Sequence, residues 1–103
     1  MKYIIIVTKQ AKRDLVNIYE YIAYVLKSKA SADKQIRKLE TAISNLDIFP
    51  ERFKRYESEN NLQTEFRIMP VNNFNVYYIV KNDSREVAII RIIYKKRCQR
   101  NVK

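Results

Sequence analysis

VAIIRIIYKKR, residues 87–97, decides how the rest of the chain is read. Its first part is apolar and mostly β-branched, the composition of a strand buried on at least one face and central in a sheet. One charge, Arg91, interrupts it, and the run passes through Tyr94 into Lys95, Lys96 and Arg97. A core strand therefore carries an arginine, a phenol and a basic cluster to one edge of the protein. Such an edge suits a polyanion.

Upstream of this strand, taken as Glu86–Tyr94, the segment 82–85 reads as a turn and Phe74–Lys81 (FNVYYIVK) as another strand. Pro70–Asn73 is a second turn. Leu62–Met69 alternates with period two, setting Gln63, Glu65 and Arg67 against Thr64, Phe66 and Ile68. Strands joined by such short turns form an antiparallel meander. Strict alternation on Glu86–Tyr94 places Ala88, Ile90, Ile92 and Tyr94 on one face and Val87, Ile89, Arg91 and Ile93 on the other. Glu51–Asn61, polar and carrying Arg52, Lys54 and Arg55, reads as the longest loop.

The N-terminal half is helical in pattern. Ala11, Leu15, Ile18, Ile22 and Val25 form one apolar stripe, and Ala32, Ile36, Leu39, Ile43 and Leu46 a second. Thr8 is suited to cap the first helix, Ser28 or Ser31 the second, and Pro50 marks the end of the pair. Helices of this length need a sheet to bury their stripes. With Lys2–Val7 (KYIIIV) as the first strand, the order is β-α-α-β-β-β. The expected fold is α+β: a four-stranded, mainly antiparallel sheet with an αα-hairpin on one face and the other face open.

Composition agrees with a single domain over residues 1–103, basic from about residue 95: 47% of residues are hydrophobic and 31% charged. No apolar run approaches the ~20 residues of a membrane span, and the run Tyr3–Val7 is short for a signal-peptide core. A cytoplasmic protein, with no membrane partner, is expected. The net charge of +10 points to an anionic partner. Histidine is absent and Cys98 is the only cysteine, which excludes a Ser-His-Asp triad, a histidine-ligated or multi-cysteine metal site and an internal disulfide. No cofactor or metal is expected. Glycine is absent too, so positive-φ turns fall to Asn60–Asn61, Asn72–Asn73 and Asn82–Asp83.

Arg67 and Arg91 admit two readings. In one, each pairs with a carboxylate, Glu65 or Glu86, and serves structure. In the other, both project from neighbouring strands beside the basic end and grip phosphate, for which the planar guanidinium is suited. RNA cleavage through the 2′-hydroxyl needs a base, charge stabilisation at phosphorus and an acid. Without histidine, Arg and Lys would stabilise charge while Tyr94, Lys96 or Glu65 moved protons. The tail from Lys95 to Lys103, with five Lys or Arg and no acid, is either a solvated terminus or a phosphate-contacting patch.

In this order, the first strand, AKRDLVNIYEYIA, ADKQIRKLETAISNL, FPERF, FRIMPVNNFNVYYIV and VAIIRIIYKKR resemble the RelE/ParE superfamily of toxins from bacterial type II toxin–antitoxin modules. The resemblance covers about 95 residues, and it implies two activities. RelE-like members cleave messenger RNA in the ribosomal A site, using Arg and Lys on the sheet and a C-terminal Tyr or His. Carried over, this makes Arg67, Arg91 and Tyr94 catalytic, with Lys54, Arg55, Lys95, Lys96 and Arg97 binding nucleic acid or target. Tyr94 stands where many relatives carry histidine. ParE-like members instead poison DNA gyrase without hydrolysis, and FPERF fits that branch. A ribosome-dependent mRNA endoribonuclease is the leading expectation. A gyrase poison is the alternative, and an inactive antitoxin-binding or co-repressor homologue a third. Either branch implies a cognate acidic antitoxin as partner, with operator DNA bound only through the antitoxin complex.

Overall fold

A computed structural model describes residues 2–57 and 65–95. Strand β1 (Ile4–Val7) leads through Thr8 into helix α1 (Lys9–Glu20). The Thr8 hydroxyl oxygen accepts from the Ala11 N–H at 3.2 Å, the expected N-cap. A π-helical turn, Tyr21–Val25, follows, then α2 (Lys29–Ser44), capped by Ser28. Two 3₁₀ turns, Asn45–Asp47 and Pro50–Arg52, lead to strands β2 (Arg55–Glu57), β3 (Glu65–Val71), β4 (Phe74–Lys81) and β5 (Glu86–Tyr94).

The α+β architecture is as expected, with one strand more. The sheet has five strands in the order β1-β5-β4-β3-β2. β1 runs parallel to β5, and all other pairs are antiparallel. The added strand is β2, cut from the segment expected to be a loop. It pairs Arg55, Tyr56 and Glu57 with Arg67, Phe66 and Glu65. Three residues carry too little period-two signal to be read as a strand. The β3–β4 turn is also tighter than expected. β3 continues through Pro70 and Val71, leaving Asn72 and Asn73 as the turn.

The core lies between the helix pair and one sheet face. Leu39 and Leu46 from the helices meet Val76, Tyr78, Val87 and Ile89 from the sheet, all fully buried. Each such aliphatic side chain contributes about 1.5–3 kcal/mol, so this layer outweighs any surface ion pair. Two local irregularities shift the predicted faces. At the π-turn the Leu26 N–H donates to the Tyr21 carbonyl at 3.0 Å, five residues back. The inserted residue rotates the helix so that Ala23 is buried and Val25, expected in the stripe, is exposed. On β5 the register jumps from Ile89↔Tyr78 to Arg91↔Tyr77, leaving Ile90 unmatched as a β-bulge. Val87, Ile89 and Ile92 therefore share the core side, which strict alternation does not allow.

Without glycine, left-handed backbone among the described residues falls on Lys27, Phe49, Asn72 and Arg85. Only Asn72 was among the expected positions. The third turn uses Arg85 rather than Asn82 or Asp83, with the Arg85 guanidinium 5.7 Å from the Tyr3 ring centre. Asn60–Asn61 lie outside the described residues.

Candidate functional site

β1 accompanies β5 only as far as Val7↔Ile89. Beyond that point α1 takes over the edge. The Thr8 N–H and hydroxyl both donate to the Ile89 carbonyl, at 3.1 and 2.7 Å. Asp14, 6% exposed, then accepts the Ile92 N–H at 2.9 Å. The same carboxylate accepts Arg91 Nε at 2.9 Å and Nη2 at 3.3 Å. These bonds hold the Arg91 guanidinium above even the ordinary arginine pKa, with partial burial opposing them. The carboxylate partner of Arg91 is thus Asp14, not Glu65 or Glu86. Asp14 was missed in the sequence. Its signal was there: it falls three residues after Ala11 and four before Ile18, on the apolar stripe, where a charge is unexpected.

Arg67 is equally committed. Its Nη1 donates to the carbonyls of Phe53 at 2.6 Å and Glu51 at 3.2 Å, and its Nη2 lies 3.7 Å from the Glu51 carboxylate. Beside it the buried Tyr78 hydroxyl donates to the Pro50 carbonyl at 2.6 Å. Burial pushes the Tyr78 phenol up to about 12, the charges of Arg67 and Arg52 opposing the rise. Arg52 closes the same turn from outside, donating to the carbonyls of Asn45 (2.6 Å), Ile48 (2.9 Å) and Phe49 (3.3 Å). FPERF is therefore a turn nailed to the sheet by Tyr78 and Arg67 and to the end of α2 by Arg52. At its start Phe49 adopts φ 52° and ψ 56° and is 79% exposed. Left-handed backbone at a bulky residue costs about 1–3 kcal/mol.

The expected site residues fall into two groups. Arg67 and Arg91 are not on neighbouring strands, because β4 lies between β3 and β5. The meander itself sets FNVYYIVK between the two arginine strands, and β1 and β2 only extend its outer edges. Arg67 stands opposite Arg55 in the β2–β3 register. They line a cleft of about 230 Å³ with Glu51, Glu65 and Asn82. Each arginine there faces a carboxylate, Arg55 lying 3.4 Å from Glu65. Lys54 sits 5.5 Å above the Tyr56 ring. In the second group, Tyr94 ends β5 with its ring 5.5 Å from the buried Phe74, and the Lys95 N–H bonds the Asn73 carbonyl at 2.8 Å. Lys96, Arg97 and Cys98 lie outside the described residues. The sheet face away from the helices carries an aromatic row, Tyr56, Phe66 and Tyr77, at centroid spacings of 5.9 and 5.7 Å. No helix among the described residues is long and apolar enough to cross a membrane.

An αα-hairpin packed on an open mixed sheet is the fold expected from the superfamily that the sequence resembles. Residues 5–97 match the family model described as ParE toxin of type II toxin–antitoxin system, parDE, and the chain belongs to that family. Similar folds occur in solved structures. A chromosomal ParDE toxin–antitoxin system from P. aeruginosa superposes with TM-score 0.71 at 20% identity, covering 90% of this chain and 96% of that one. The archaeal RelE–RelB complex from Pyrococcus horikoshii OT3 gives 0.64 at 18% identity, covering 94% and 99%. The RelBE2 toxin–antitoxin complex from Mycobacterium tuberculosis gives 0.60 at 18%, covering 91% and 92%. No curated protein matches the chain.

Proposed function

We propose that the chain arrests bacterial growth by binding and poisoning DNA gyrase, without hydrolysing RNA, and that a cognate acidic antitoxin silences it. One observation carries this reading: both candidate phosphate-binding arginines already have partners in the fold. Arg91 is matched by Asp14, and Arg67 by two carbonyls and Glu51. Transition-state stabilisation asks for donors aimed at the reacting phosphate in advance. Here Glu51 and Glu65 stand in the cleft that joins Arg55 and Arg67, where they would repel that phosphate. The ParE family model supports the same branch. Lys95, with Lys96 and Arg97 beyond it in sequence, then serves as a basic edge for the target or antitoxin. The antitoxin partner is supported by the likeness to toxins solved within toxin–antitoxin systems.

Induced expression tests the proposal. The expected result is filamentation with an SOS response and gyrase-linked DNA breaks. Messenger RNA cut at the ribosomal A site would overturn it, and so would normal growth from the intact chain.

A further inference from the structure

The FPERF turn has a feature that its structural role does not use. Arg52 and Arg67 hold five backbone carbonyls between Asn45 and Phe53, and the Tyr78 hydroxyl holds a sixth, that of Pro50. On this rigid base stands a phenylalanine with left-handed backbone and 79% of its surface in water, next to Ile48 at 48%. Asparagine or glycine would adopt the same backbone with less strain. The phenyl ring, left mostly in water, contributes little to the fold there. Unfavourable backbone that survives at a rigid, exposed aromatic is the signature of a pre-organised anchor.

We infer that Phe49 is a protein-docking anchor that inserts into an apolar pocket on the folded target of the toxin. A protruding ring needs a hole, which a folded partner supplies. Nucleic acid is disfavoured because Asp47 and Glu51 bracket the ring two residues away on either side, and the Arg52 donors are spent on carbonyls. A second copy of the chain fits no better. Its cleft between Arg55 and Arg67 is lined mainly by charged groups. Two chains of net charge +10 also repel. The inference rests on the reading of this chain as a toxin that binds a protein target. It adds the residue that makes the grip.

The test compares the intact chain with Phe49→Asn, Phe49→Gly and Phe49→Tyr. Both Asn and Gly variants should melt at or above the wild-type temperature and still form the complex with the antitoxin, while growth arrest is lost. Retention on immobilised purified gyrase should fall at least tenfold, and Phe49→Tyr, which keeps the ring, should retain arrest. If wild type ignores gyrase yet Phe49→Asn still loses arrest, the anchor stands and gyrase is the wrong target. Full arrest by Phe49→Asn would overturn the inference. Melting of both Asn and Gly variants well below wild type would do the same, by making the ring structural. Loss of antitoxin binding in Phe49→Asn, or loss of binding to a labelled RNA or DNA oligonucleotide, would assign the ring elsewhere and equally overturn it.

Discussion

Asp14 of α1 and Arg91 of β5, 77 residues apart in sequence, are joined by hydrogen bonds of 2.9 and 3.3 Å, and the same carboxylate caps the Ile92 N–H. This contact completes the β5 edge where β1 stops. Removing a buried carboxylate strands its donors. Because the Arg91 side chain is 43% exposed, solvent compensates part of that loss. Asp14→Ala should therefore lower unfolding free energy by about 2–3 kcal/mol, and Asp14→Asn by about half as much, since the amide oxygen still accepts from Ile92. Urea denaturation of the two variants measures both.

Arg67 and the FPERF turn give a prediction that separates structure from catalysis. Arg67→Ala leaves the Glu51 and Phe53 carbonyls without their shared donor, a loss of about 1–3 kcal/mol. Arg67→Lys should recover only a minority of it, because a single ammonium does not reproduce the planar fork. Toxicity of Arg67→Ala should then follow the folded fraction and return at lower temperature. A catalytic arginine would stay inactive in a fully folded variant.

Tyr78 makes stability fall at high pH. Its phenol titrates at about 12 in the folded protein, against 10.0 ordinarily. Between those values the unfolded chain has lost a proton that the native chain keeps, so stability declines as pH rises through that window. Below pH 10 the contribution is fully present. Tyr78→Phe should remove this decline and cost about 1–2 kcal/mol at neutral pH for the lost bond to the Pro50 carbonyl. Denaturation midpoints recorded from pH 8 to 12 for both proteins check the slope.

Much of this fold was legible in the residues. The second apolar stripe, the first as far as the π-turn, the Thr8 cap and the strand character of FNVYYIVK and VAIIRIIYKKR reflect local signals, and these recur in the structure. What escaped was one-residue change of phase. A π-turn and a bulge each insert one residue, and period analysis cannot see where the count slips. The site suffered more. Arg91 and Arg67 looked chemically available because their partners, Asp14 and the carbonyls of Glu51 and Phe53, are brought to them only by tertiary packing. Asp14 alone left a trace, as a charge inside an apolar stripe.

The π-turn itself makes a sharp prediction. Ala23 is buried and Val25 is 61% exposed. Val25→Lys should change stability by less than about 0.5 kcal/mol, whereas Ala23→Lys should cost more than about 2 kcal/mol by burying an unpaired charge. An uninterrupted α-helix would reverse the order. Thermal melts of the two variants distinguish the phases.

Purified components test most directly whether this toxin grips gyrase, as proposed, rather than cuts RNA. Toxin freed of antitoxin, gyrase and supercoiled plasmid are combined, and covalently trapped DNA breaks are scored after protease treatment. In parallel, programmed ribosomes are incubated with the same toxin and the message is mapped for cuts. The expected result is gyrase-dependent DNA breaks with intact message. Cleavage of the message in the A site, lost on Arg91→Ala in a folded protein, together with unaffected gyrase, would contradict the account.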